Sequence, residues 1–200
     1  MLVKMGGGVG GGIEADAAPK IAYNGKWSGW YVEFYGGVPY WEAVVYTSGV
    51  LTVTGNYTAD AHGIGGGAAA TGIKPGGNGA ATVKAAITLS GSIAVTVGAG
   101  SIDGNGGETS LGNLLTAAGG VGNTKKNGPY YRFGDTEKKG ETGANGSPNY
   151  YGEKAAGYGG WMFWRADSSE GEGYGAGGGY QDRTWYSGHA GALIVRIALK

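Results

Sequence analysis

The sequence predicts an all-β chain in which glycine-rich extended segments pack beside short strands, and three observations carry that reading. Glycine and proline make up 52 of 200 residues, 47 Gly and 5 Pro, a fraction at the low-complexity threshold. Only 13 Val, 9 Ile, 8 Leu and 3 Phe, 33 together, can build a large-side-chain core, because the 41% hydrophobic content is padded by 26 Ala and by Tyr. Where apolar residues do concentrate they are aromatic or β-branched and end at glycine turns, which is the signature of strands. Order in such a chain requires a source other than a large aliphatic core.

The elements follow in chain order. Residues 1–12 are a glycine-rich lead, and residues 13–18 leave no room for a useful helix before Pro19. The start has no apolar signal-peptide core, so the mature chain is expected to begin at Met1. Asn24-Gly25 is a turn pair. Residues 27–35 and 38–46 are aromatic strands around Gly36-Gly37, a hairpin that alone is marginal in water. Trp27, Trp30, Tyr31, Phe34, Tyr35, Tyr40 and Trp41 give it seven large aromatics within fifteen residues, and a two-stranded ribbon has only two faces on which to hide them. Residues 1–46 are therefore read as an arm and hairpin serving attachment and oligomerisation, and residues 47–200 as the head domain.

In the head, residues 48–54 read as a strand turning at Gly55-Asn56, and residues 83–89 and 92–97 as a hairpin about Ser90-Gly91. Alternation of Ile93, Val95 and Val97 with Ser92, Ala94 and Thr96 implies one buried face. Residues 192–199 are almost continuously apolar, which suits a central strand. Between them lie glycine tracts at 63–68, 72–79, 104–107, 119–122 and 173–179. These read either as independent surface loops or as polyproline-II-like segments packed side by side, with no side chain to hold the backbones apart.

Residues 58–129 contain no aromatic, whereas thirteen lie between Tyr130 and Tyr186. Tyr130, Tyr131, Tyr150, Tyr151, Trp161, Trp164, Tyr174 and Tyr180 are interleaved with Gly, Asn, Ser, Lys and Asp, a mixture like that of antibody paratopes, where rigid aromatics supply contact area and small polar residues supply hydrogen bonds. They are the candidate receptor-binding residues, on loops spanning 130–186. The competing reading is that some of them, Trp161, Phe163 and Trp185 above all, are the core that the aliphatic count cannot provide.

Four blocks in order carry a resemblance: Ser48-Gly49-Val50-Leu51-Thr52-Val53 running on to Gly63-Ile64-Gly65-Gly66-Gly67, the stretch from Ile87-Thr88-Leu89 to Val97-Gly98-Ala99-Gly100, Gly106-Gly107-Glu108-Thr109-Ser110-Leu111-Gly112, and Ala117-Ala118-Gly119-Gly120. With Gly188-His189-Ala190-Gly191 before the last strand, they make residues 47–200 similar to the glycine-rich domain of bacteriophage tail fibre and tail-tip adhesin proteins. The resemblance implies a small β-sandwich combined with packed polyproline-II-like glycine segments, a place in the virion tail, a bacterial surface receptor (glycan or outer protein), other virion tail subunits as partners, and a homo-oligomer, a trimer by preference. The long aromatic insertion departs from the family pattern and leaves the binding specificity open.

Other classes fall away. Fifteen basic and fifteen acidic residues give a formal net charge of zero, which supplies no electrostatic footprint for nucleic acid, and no run is long and apolar enough for membrane insertion. Zero cysteines exclude a disulfide framework and a thiolate zinc site. Two Gly-x-Gly-x-x-Gly matches, from Gly6 and from Gly173, are expected by chance at this glycine frequency and open no helix. His62 and His189 each sit among Ala and Gly and read as structural. The turn at 103–108 offers oxygens but not the full calcium-loop pattern, and the carboxylates between Asp135 and Asp182 read as a solvated rim rather than a glycosidase pair. The expectation is a non-enzymatic tail fibre or tip adhesin without cofactor or metal. The alternative is a structural virion component, a capsid fibre, decoration or baseplate protein, whose aromatics form subunit contacts.

Overall fold

A computed structural model describes residues 17–69, 76–121, 174, 175, 177, 178, 180, 181, 184, 185 and 187–199. The chain is all-β, with no helix among the described residues. Its strands are β1 (Ile21–Tyr23), β2 (Tyr31–Tyr35), β3 (Val38–Val45), β4 (Gly49–Ile64), β5 (Ala81–Thr96), β6 (Thr109–Leu111), β7 (Leu115–Ala117), β8 (Tyr180–Gln181), β9 (Thr184–Trp185) and β10 (Ala192–Ala198). Eight form one antiparallel sheet in the order β2-β3-β10-β4-β5-β6-β7, with β1 on β4; β8 and β9 pair separately.

β4 and β5 organise the sheet. Each is a single strand of 16 residues, where the sequence reading expected a turn at Gly55-Asn56 and another at Ser90-Gly91. Both expectations are corrected by the same feature: the two glycines, at φ +97° and +64°, sit at one register shift, where Val53 pairs with Gly91 and Asn56 with Ser90. A bulge absorbs their left-handed backbone and bends the pair without ending it. The first half of β4 takes β1 as its other neighbour, through Leu51–Val53, and the second half takes β10, through residues 60–64. Ile21, Tyr23, Leu51, Val53, Leu89, Val95, Leu111 and Leu115 of one arm then share a single buried cluster with Trp41, Val45, Leu193, Val195 and Ile197 of the other.

β10 is central, between β3 and β4. Burial on both faces explains its unbroken apolar run: the other face of β3, β10, β4 and β5 buries Val44, Ile194, Ile64 and Val83 in a second cluster. The N-terminal hairpin is thus part of the same sheet as residues 49–198, since β3 pairs with β10 over six residues. Its turn residues Gly36 and Gly37 both have positive φ, +59° and +83°, as a tight two-residue hairpin turn demands.

Beyond one end of the sheet the glycine segments bond to one another. Residues 65–69 continue from β4 and are buried throughout. Successive amides there point in different directions: Gly65 and Ala68 donate to the carbonyls of Ala80 and Gly77, Gly66 and Ala69 to those of Gly107 and Gly104, and Gly67 to that of His189. The carbonyls of Gly66, Gly67 and Ala68 accept from Gly120, Ser101 and Gly178. Six segments therefore surround 65–69, and they close a ring. In order around it, 98–101 bonds to 104–107 (Gly107 to Ala99), 104–107 to 117–121 (Gly106 to Gly120), 117–121 to 76–80 (Ala80 to Ala118), 76–80 to 175–178 (Gly79 to Gly175), 175–178 to 187–191 (Gly175 to Ala190), and 187–191 back to 98–101 (Gly191 to Gly98).

Only glycine permits these approaches. A methyl added at Gly66 would lie 2.1 Å from the Ala99 carbonyl oxygen, at Gly106 1.9 Å from that of Gly66, and at Gly188 2.0 Å from that of Gly67. Thr109 joins the ring to the sheet: its buried hydroxyl donates to the Ile64 carbonyl at 2.6 Å and accepts from the Gly98 amide at 2.9 Å.

Candidate functional site

Two regions carry the side chains that the sequence singles out. The first is the end of the glycine ring remote from the sheet. Chain direction alternates around the ring, so Ala69, Ser101, Val121 and Gly178 leave the described segments there while Gly76, Gly104 and Ser187 enter them. The short connection from Ser101 to Gly104 is tied by the Ser101 hydroxyl, which accepts from the Asp103 and Gly104 amides at 3.3 and 2.8 Å. It carries Ile102, which is 80% exposed. β8 and β9 pair Tyr180 with Trp185 between Gly178 and Ser187.

Of the eight candidate receptor-binding residues, Tyr130, Tyr131, Tyr150, Tyr151, Trp161 and Trp164 lie outside the described residues, and Tyr180 is described by its backbone alone. Tyr174 belongs elsewhere. It is half-buried against the second core cluster, its ring 6.3 Å from that of Tyr46. Burial first, then the neighbouring Tyr46, pushes its hydroxyl up to about 12.

The second region is the hairpin. Trp41 is buried in the first core cluster, and Trp27 and Trp30 pack on that cluster with their rings 6.0 Å apart at 85°. Trp30 Nε1 donates to the Ile21 carbonyl at 3.4 Å. These three attachment candidates, and Tyr31 and Tyr35 through their hydroxyl bonds to Glu42, are thus engaged within the chain itself. Tyr35 and Tyr40 rest edge to face at 5.9 Å beside the turn. Phe34 and Val38, either side of Gly36-Gly37, remain 55% and 46% exposed.

The opposite face of the hairpin holds a polar group that no sequence motif announced. Register places Tyr31, Glu42, Arg196 and Asp60 in one row across β2, β3, β10 and β4. Glu42 is wholly buried. It accepts from the Tyr31 hydroxyl, from the Tyr35 hydroxyl at 2.5 Å and from Arg196 Nε at 2.9 Å. The Arg196 guanidinium also lies 3.7 Å over the Tyr35 ring, a cation–π contact strengthened by desolvation. Burial, followed by the hydrogen bond to Glu42, raises both tyrosine hydroxyls well above their ordinary value; for Tyr35 the Arg196 charge opposes the rise. At the end of the row Asp60 Oδ1 accepts from the Ala86 amide at 2.9 Å, holding the left-handed Ala86 (φ +53°) in the second β4–β5 bulge. With three donors on one buried carboxylate, the group is built to join strands rather than to move a proton.

Among the described residues no three His, Cys, Asp or Glu side chains stand close enough to hold a metal ion. His62 is buried in the sheet, and the backbone carbonyl of the half-buried His189 accepts from Gly67. No helix among the described residues is long and apolar enough to cross a membrane. The chain matches no protein-family model and no curated protein.

Proposed function

We propose that the chain is a non-enzymatic bacteriophage virion protein, a tail fibre or tail-tip adhesin that binds the bacterial host surface through loops carried by its glycine ring. The observation that supports this most is the closed ring of six segments around a seventh, which occupies the sequence blocks that resemble the adhesin glycine-rich domain. Bonding directions along 65–69 repeat every third residue, the period of a polyproline-II helix. In this reading the segments are polyproline-II-like, the two arms of the sheet form a small β-sandwich, and the ring is a rigid platform whose outer end meets the receptor, a surface glycan or outer protein.

The test is host-cell adsorption by purified protein with Tyr150, Tyr151, Trp161 and Trp164 replaced by Ala. Adsorption is expected to fall at least about tenfold, the loss of aromatic anchors at an interface, while the fold is kept. Full adsorption by a folded variant overturns the site.

Exposed Phe34 and Val38 favour a second role for the hairpin, docking to a neighbouring tail subunit, and they also keep alive the reading as a structural virion component. Phe34→Glu separates the two. Loss of incorporation into particles with adsorption of the free protein intact fits docking by an adhesin; loss of incorporation by a protein that never adsorbs fits a structural piece.

A further inference from the structure

Three of the chain's Asn-Gly pairs fall among the described residues: Asn24-Gly25, Asn78-Gly79 and Asn105-Gly106; Asn127-Gly128 and Asn145-Gly146 lie outside them. Asparagine is thermolabile, most of all before glycine, because the next backbone nitrogen can close on the side-chain amide and glycine has no Cβ to obstruct the approach. Two conditions decide whether a folded chain allows it. The following amide must be free to give up its proton, and water must reach the ring that forms.

The glycine ring withholds one or both from two of the pairs. Asn78 is 1% exposed, its Oδ1 accepts from the Gly177 amide at 2.9 Å, and the Gly79 amide donates to the Gly175 carbonyl at 2.7 Å. Asn105 is exposed, but the Gly106 amide donates to the Gly120 carbonyl at 2.8 Å, one of the bonds that close the ring. Asn24-Gly25 meets both conditions. Asn24 is exposed just past β1, and no described residue accepts from the Gly25 amide. The Asn24 amide donates to the Val50 carbonyl at 3.3 Å and its Oδ1 accepts from the Val50 amide at 2.7 Å, so the side chain extends the β1–β4 ladder by one rung. That donor stands on the oxygen that gains negative charge when Cγ is attacked, the placement of an oxyanion-hole donor. Packing holds the glycine in place, since a methyl at Gly25 would lie 2.6 Å from Tyr23 Cε1 and 3.0 Å from the Ser48 carbonyl oxygen. The fold thus retains both halves of the labile pair for structural reasons.

We propose that Asn24 is a site of spontaneous deamidation and isoaspartate formation in the folded protein. It does not rest on the adhesin reading. The Gly25 nitrogen gives its proton to hydroxide and attacks Asn24 Cγ. The N–Cγ bond forms, the Cγ–Nδ2 bond breaks, and the amide nitrogen takes a proton from water and leaves as ammonia. Water then opens the cyclic imide at one of its two carbonyls. One opening gives aspartate, whose carboxylate still accepts from the Val50 amide; the other gives isoaspartate, which adds a methylene to the backbone and breaks the rung. Either product places a new negative charge at the end of β1. The test holds the full chain in mildly alkaline buffer, folded and in urea, and follows each Asn-Gly pair by peptide mass and by labelling with an isoaspartyl methyltransferase. Folded, Asn24 should convert about tenfold or more faster than Asn78 and Asn105, whose glycine amides are released only when the ring opens. In urea the three rates should converge. An Asn24 that keeps its amide while Asn105 converts in the folded protein overturns the proposal, as do three rates that stand in the same ratio folded and unfolded.

Discussion

At Gly66 and Gly106 the molecule depends on the absence of a single carbon. Each faces a carbonyl oxygen across the ring at about the closest approach two backbones allow, so Gly66→Ala or Gly106→Ala must push whole segments apart. The expected cost is about 3 kcal/mol or more. Gly104→Ala is the control: its nearest atom is the Ser101 hydroxyl at 3.9 Å and its φ is not positive, so the change should stay within about 0.5 kcal/mol. Chemical denaturation measures both. The buried Glu42 makes a second residue-scale case. Glu42→Gln strands the Arg196 charge and should cost about 3–5 kcal/mol, while replacing Glu42 and Arg196 together by Met should cost less than the single change. Tyrosine ionisation gives the pH dependence. Tyr31, Tyr35 and Tyr174 hold their protons more tightly folded than at the ordinary value of 10.0, so their contribution is complete below about pH 10 and is lost as pH rises through the folded values. Unfolding free energy should be flat toward pH 10 and fall above it, with a shallower fall in Tyr31→Phe/Tyr35→Phe; an unchanged slope in that variant would remove the cluster as the cause. None of this cluster was readable from the sequence, because Glu42 and Arg196 are 154 positions apart and only the strand register brings them together.

At the scale of elements, strands whose apolar pattern is local were legible and those defined by distant partners were not. The hairpin strand from Val38 and the terminal strand from Ala192 are found at the expected residues, since aromatic content and an unbroken apolar run report burial directly. β1, β6 and β7 are three residues each, too short for a periodic signal, and exist because a neighbour offers an edge: β4 to β1, β5 to β6 and β6 to β7. Gly55 and Gly91 misled because a positive φ serves a turn and a bulge equally well; which one forms depends on whether the chain beyond the glycine finds the same neighbour again. The separation at residue 46 has a direct consequence here. β3 contributes Trp41 and Val45 to the first cluster and Val44 to the second, and it covers one edge of β10. Residues 47–200 expressed alone would lose that partner along the most apolar strand of the chain. They are expected to be insoluble or to lack cooperative unfolding, as judged by circular dichroism on heating, and a head that melts as sharply as the full chain would show that the hairpin is dispensable.

For the whole molecule the glycine count reported that ordinary core packing could not order the chain, and it did not report how the tracts find one another. No periodic spacing in the sequence encodes a ring: the partners of 65–69 come from six stretches between residues 76 and 191, brought together because the strands that precede or follow most of them already lie side by side. The ring and the sheet are therefore stabilised differently. The sheet buries Leu, Ile, Val and Trp; the ring buries peptide groups, satisfied by one another, and little apolar surface. Heat capacity separates the two, because exposed apolar area raises it on unfolding and exposed polar area lowers it. A conventional chain of 200 residues would unfold with a change of about 2.4–3 kcal/mol/K, at roughly 12–15 cal/mol/K per residue. Here calorimetry should give clearly less, and hence a flatter stability curve. Because Thr109 and the strand ends tie the ring to the sheet, that smaller change should appear in one transition, and Gly66→Ala in the ring should lower the same midpoint as Leu193→Ala in the sheet. A conventional heat capacity, or two separate transitions, would mean that apolar burial, and not backbone hydrogen bonding in the ring, carries the stability of this fold.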